Sequence, residues 1–193
     1  MFSTGDLLLN IFIFVYGFLW ALTMVNAEGL VGWGGVSPAW KLDTRRWYSF
    51  LFWPFAQGRP VNFLPVSAIM TFTVSFLLPV IWNINKNIPF TLINFGELVS
   101  YFIIFAILED FIWFLINPYY GLRKFNKQIV TWHPRWLGFL PTDYWIALVI
   151  YIIVGFFSRG VVWLLITSSI QLFLTIALII ICRRFVKYRS EEV

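Results

Sequence analysis

Charge is what this sequence has least of. Only 12% of its 193 residues are Asp, Glu, Lys or Arg, against 60% hydrophobic, and the mean hydropathy is +0.80. That balance excludes a soluble globular domain and leaves the membrane class. There is one cysteine, Cys182, so no internal disulfide can form and the redox compartment cannot be read from it. There is one histidine, His133. No internal repeat, low-complexity tract or phosphate-binding glycine pattern followed by a helix occurs, so nothing suggests a nucleotide site. The formal charge of +5 follows from membrane orientation, and nucleic acid is not expected as a partner. No basic stretch precedes the first apolar run and no small-residue cleavage site follows it, so a retained span is expected there.

What is present is length in apolar runs. A helix needs about 20 apolar residues to cross roughly 30 Å of hydrocarbon. The segments 7–26, 63–82, 90–116, 142–158 and 161–182 meet or approach that length, the last two joined by Ser158-Arg159-Gly160. The segment 47–57, "WYSFLFWPFAQ", is too short and contains Pro54, so it is expected to be interfacial or re-entrant. Trp33, Trp40, Trp47 and Trp53 crowd the first long loop, as befits chain lying at a membrane surface. Its run "GLVGWGGVSPAW" has the glycines a lid over a cavity would need.

Five spans put 12 of the 14 Lys and Arg residues on one side and leave only Lys86 and Arg159 on the other. Short cytoplasmic loops collect basic residues, so the expected fold is an all-α integral membrane bundle with the N-terminus outside and the C-terminus cytoplasmic. A crossing by 47–57 would destroy the bias. The absence of a retrieval or lipidation signal points to a prokaryotic cell membrane.

Against that background the acids stand out. Glu97, Glu109 and Asp110 fall within the third apolar run, and no Lys or Arg falls within any of the five. Charge at such depth costs on the order of a few kcal/mol, so each acid should be protonated, bind a cation or be met by a basic loop residue. Glu97 is expected to be neutral or bonded to Asn94 and Tyr101 on its own face. Asp110, Trp113 and Asn117 form one stripe with Glu109 beside it, and Pro118 ends the helix. The following loop brings Tyr119, Tyr120, Arg123, Lys124, Arg135 and His133 to the same end.

Two carboxylates and an imidazole can divide the roles of general acid and base, or hold a divalent metal. Catalysis is therefore expected from Glu109, Asp110, Asn117, Tyr120 and His133, with Glu109 as proton donor, Asp110 as its partner charge and His133 as relay. Glu109, Asp110 and His133 are the candidate metal ligands. A substrate entering from lipid would be a lipid or isoprenoid. The run "LEDFIWF" resembles the acidic patch of the membrane-embedded carotenoid cyclases of bacteria and archaea. That likeness implies protonation of a polyene, but it covers seven residues and lacks the proline that usually precedes those acids.

Two other functions fit the same residues. Glu97, Glu109 and Asp110 could be stations on a proton or cation path of a coupled carrier or channel, in a chain with few spans for rocking unless it forms a homo-oligomer. Alternatively, the acids pair with Arg123 or Arg135 and the chain is a non-catalytic subunit among other membrane subunits. Ser168, Gln171 and Thr175 in the last run, and Tyr16, Trp20 and Thr23 in the first, read as polar glue between helices.

Overall fold

The computed structural model describes residues 2–28, 41–43, 63–65, 77, 80, 89–131, 133 and 135–186. Helix α1 is Thr4–Glu28, α2 is Leu92–Ile116 and α3 is Thr142–Phe185. Between α1 and α2, strand β1 (Lys41–Asp43) pairs antiparallel with β2 (Phe63–Pro65). Between α2 and α3 lie a 3-10 turn at Leu122–Lys124 and the strands β3 (Trp136–Leu137) and β4 (Leu140–Pro141), again antiparallel.

The three long helices are each apolar and long enough to cross a membrane. Their outward faces remain apolar, with Phe157 78% exposed, Phe173 70% and Leu8 60%. Water would penalise such a surface and lipid would not. The expected start of the second span is corrected: residues 63–65 are extended, not helical, and Pro65 cannot donate to the ladder. Leu77 and Val80 are helical, while the rest of 63–82, the segment 47–57 and the glycine-rich loop lie outside the described residues.

α3 is 44 residues long, which as a straight helix would measure about 66 Å, twice the hydrocarbon thickness. It is not straight. Gly160 has φ 80° and ψ 172°, a combination essentially reserved for glycine. The Tyr151 hydroxyl lies 3.2 Å from Ser168 Oγ, a pair that straight helix would hold roughly 25 Å apart. The chain therefore doubles back at Gly160, giving α3 two arms, 142–159 and 161–185.

Asp6 is level with Trp163, Asn10 with Thr167 and Gln171, and Gly17 with Phe105 and Glu109. Hence α1, α2 and the second arm run in one direction. The first arm runs against α2, since Gly96 faces Val154 and Ser158 while Asp110 faces Tyr144. Side chains of the neighbouring segment pack directly onto the backbone at the glycines. A Cβ on Gly96 would sit 2.1 Å from Ser158 Oγ, and one on Gly155 would sit 2.6 Å from Leu164 Cδ2. Small residues at helix contacts are how membrane bundles gain packing. Tyr101, Phe105, Ile112 and Phe114 of α2 fill the centre.

Candidate functional site

The end of the bundle opposite Gly160 gathers the chemistry. Asn117 ends α2, and its Oδ1 accepts from the Tyr119 N–H at 3.0 Å, turning the chain beneath Pro118. The loop returns through β3 and β4, whose two-residue turn uses Gly138 at φ 64°. The Thr142 N–H donates to the Arg135 carbonyl at 2.9 Å, closing this hairpin against the start of α3. Its two sides carry His133 and Asp143, which are thus brought face to face.

His133 is held at both ring nitrogens. Nδ1 is 2.8 Å from Asp143 Oδ2, and Nε2 is 3.1 Å from Asp110 Oδ2. The Tyr144 hydroxyl donates to the same Asp110 oxygen at 2.5 Å. Trp136 Nε1–H donates to the His133 carbonyl at 3.1 Å and fixes its backbone. Burial of the imidazole opposes its charge, but the hydrogen bonds to Asp110 and Asp143 more than offset this and raise its pKa to about 9. With a carboxylate on each nitrogen both must donate, so the ring is an imidazolium at neutral pH. Its side chain is 6% exposed, whereas Asp110 is 34% and Asp143 40% exposed. The carboxylates face outward and the cation is covered.

Of the five expected catalytic residues, the structure joins Asp110 and His133. Glu109 is half-buried next to Asp110, near enough for its charge to act on the Tyr144 hydroxyl. Asn117 and Tyr120 are buried below the cluster, Asn117 in the turn and Tyr120 with its ring 4.9 Å from that of Trp113. The cation beside Asp110 is His133, and Arg123 and Arg135 are exposed. Both imidazole nitrogens are engaged by carboxylates, and among the described residues no group of three or more His, Cys, Asp or Glu is placed to hold a metal ion. The expected metal set of Glu109, Asp110 and His133 is not gathered. Asp143 and Tyr144 were not foreseen. Their signal was an acid in the first turn of a helix, ten residues after the lone histidine and across a glycine turn.

A second cluster lies at the Gly160 end. Arg159 Nη2 donates to Asp6 Oδ1 at 2.6 Å, and Nη1 lies 3.5 Å from Glu97 Oε2. Trp163 Nε1–H also reaches Asp6 Oδ1 at 3.3 Å, while the Ser3 N–H and hydroxyl donate to Oδ2 at 2.6 Å. Below it, Asn10 Nδ2 donates to the Asp6 carbonyl at 2.8 Å, and Gln171 Nε2 donates to Asn10 Oδ1 at 2.9 Å. This corrects the partners expected for Glu97. Glu97 is met by Arg159, and Asn94 turns away, its amide donating to the Pro89 carbonyl at 2.6 Å. Because Asp6 precedes the expected first span and Arg159 sits in the expected turn, counting charges within the five runs missed both.

The chain matches no protein-family model, no curated protein and no solved structure.

Proposed function

We propose that this chain is a five-pass integral membrane protein, N-terminus outside and C-terminus cytoplasmic, whose loop-end cluster performs acid/base chemistry on a lipid or isoprenoid-like substrate. Supporting the span count is the parallel course of α1 and α2, which requires an odd number of crossings between them, together with the two arms of α3. The 12-to-2 division of Lys and Arg supports the orientation.

The observation that carries the chemistry is the hydrogen-bonded chain Tyr144–Asp110–His133–Asp143, built from separate segments and open at its carboxylates. Asp110 and Asp143 are the groups a substrate meets, and either takes up a proton from it. His133, covered and cationic, aligns the two carboxylates and holds a proton between them. Tyr144 steadies Asp110 by its donated hydrogen bond, and Glu109 adds negative charge at the edge. A hydrophobic substrate follows from the location of this cluster beside outward apolar faces.

The test is a comparison of total lipid extracts from cells producing the wild type, Asp110→Asn or Asp143→Asn. The wild type should convert a lipid that either amide variant converts at least about 100-fold less, with membrane insertion unchanged. Identical extracts from all strains would refute the reading. One observation favours the non-catalytic subunit instead: the clusters at both ends already pair each cation with carboxylates. Co-purification of one stoichiometric partner, together with identical extracts, would establish it.

A further inference from the structure

The two ionic clusters are separated by bundle interior, and that interior contains polar atoms with no partner. Among the described residues, the hydroxyl of Tyr16 and the Oε1 of Gln171 are buried without a hydrogen bond, and the buried Tyr101 hydroxyl has the Trp163 side chain beside it. Tyr101 is 1% exposed and Gln171 6%. Buried polar groups in native structures are nearly always satisfied, and where protein does not serve, ordered water does.

Their positions form a series. Glu97, Tyr101, Phe105 and Glu109 recur every fourth residue of α2, so they form one slowly winding ridge with steps of about 6 Å. Tyr101 packs edge-on to Trp163 at 5.3 Å, and Trp163 in turn donates to Asp6, which sets Tyr101 directly beneath the Gly160-end cluster. Tyr16 of α1 lies against Phe105, ring centroids 5.2 Å apart, and so supplies a hydroxyl at the one step where α2 offers none. Gln171 hangs from Asn10, one turn below Asp6. The ridge ends at Glu109, whose neighbour Asp110 belongs to the His133 cluster. One water hydrogen-bonded to two oxygens spans about 5.5 Å, comparable to the helix rise between successive positions of the ridge.

We propose that Glu97, Tyr101, Tyr16 and Glu109 line a water-filled proton path joining the Asp6–Arg159–Glu97 cluster to the His133 cluster. A hydronium ion at the Gly160 end gives its proton to the Glu97 carboxylate and leaves as water. Neutral Glu97 passes the proton to an internal water. Each tyrosine oxygen accepts a proton as its hydroxyl gives one onward, so both phenols end unchanged, and the proton arrives on the carboxylate of Glu109 or Asp110, which releases it to water at the loop end and is again a carboxylate. Arg159 stays on Asp6 while its contact with Glu97 weakens as that carboxyl becomes neutral. The path stands apart from the lipid chemistry proposed above, since it would conduct whether or not that chemistry occurs.

The test uses the whole protein in vesicles of equal parts phosphatidylethanolamine and phosphatidylglycerol, with a pH-sensitive dye inside and a potassium diffusion potential set by valinomycin. Proton uptake by the wild type should exceed that of protein-free vesicles by at least about tenfold. Glu97→Gln should abolish the excess, and Tyr101→Phe and Tyr16→Phe should each lower it several-fold. Tyr151→Phe, whose hydroxyl faces Ser168 between the arms of α3, should match the wild type. Uptake by the wild type no faster than empty vesicles, or equal uptake by Tyr101→Phe and wild type, overturns the path. Should Glu97→Gln fail to insert, the tyrosine variants decide alone, since each removes one oxygen from a packed ring. A loss of lipid conversion in Asp110→Asn with uptake still absent from the wild type would sink the path and leave the enzyme reading standing.

Discussion

Both ends of the bundle place one cation between two carboxylates, yet they chose different cations. At the Gly160 end Arg159 joins Asp6 to Glu97, and at the loop end His133 joins Asp143 to Asp110. Arginine keeps its charge at any physiological pH, while histidine gives it up within reach of neutrality. Asp6, only 5% exposed, depends on a partner that never leaves, whereas Asp110 and Asp143 stand partly open around one that can. The first end is built as an anchor and the second as an adjustable centre.

Arg159→Met tests the anchor and should have the largest effect. It deletes the charge that compensates Asp6 and cuts the link from the turn of α3 to α1 and α2. Breaking a buried pair by removing one partner costs about 3–5 kcal/mol, so the unfolding midpoint in mild detergent should fall sharply. An unchanged midpoint would mean that the doubling back of α3 needs no ionic support.

The loop end should differ in its dependence on pH. His133 has a folded pKa of about 9, above its ordinary value of 6.5. A raised histidine pKa stabilises the fold fully below about 6.5 and loses that contribution as pH climbs through about 9. The amount at stake is on the order of 3 kcal/mol. Unfolding midpoints of the wild type should therefore decline between those two values, and His133→Gln should be less stable at the low end and flat across the window. A slope surviving in His133→Gln would assign the titration to another group.

How much of this could be read beforehand follows from what each feature depends on. The helices were legible because a bilayer imposes length and apolarity on every crossing, so 7–26 and 90–116 come within a few residues of α1 and α2. The reversal at Ser158-Arg159-Gly160 was legible because an arginine and a glycine interrupt an apolar stretch, 142–182, too long for one crossing. Asp110 and His133 were legible as rare residue types crowded at one end. Asp143 was not, because its partnership depends on the register of β3 with β4, a tertiary fact hidden in an unremarkable "LGFLP" turn. Asp6 and Arg159 were invisible for a different reason. Ion pairs between helices join positions 153 apart in sequence, and no local window connects them. Phe63–Pro65 misled because an apolar β-rich triplet at the edge of a hydrophobic run has the same composition whether helical or extended.

The smallest expected effect separates charge from packing within α3. The Tyr151 hydroxyl and Ser168 Oγ join its two arms at 3.2 Å, and neither is charged. Hydrogen bonds between membrane helices average about 0.6 kcal/mol, because the separated helices find other partners. Tyr151→Phe should thus lower stability by about that amount, equally at pH 6.5 and 9. The arms would remain closed, held by the packing of Gly155 against Leu164, where a Cβ would run into the leucine side chain. A loss for Tyr151→Phe comparable to that for Arg159→Met would instead mean that neutral hydrogen bonding closes the turn, and that the ionic cluster at its tip is free to serve proton entry alone.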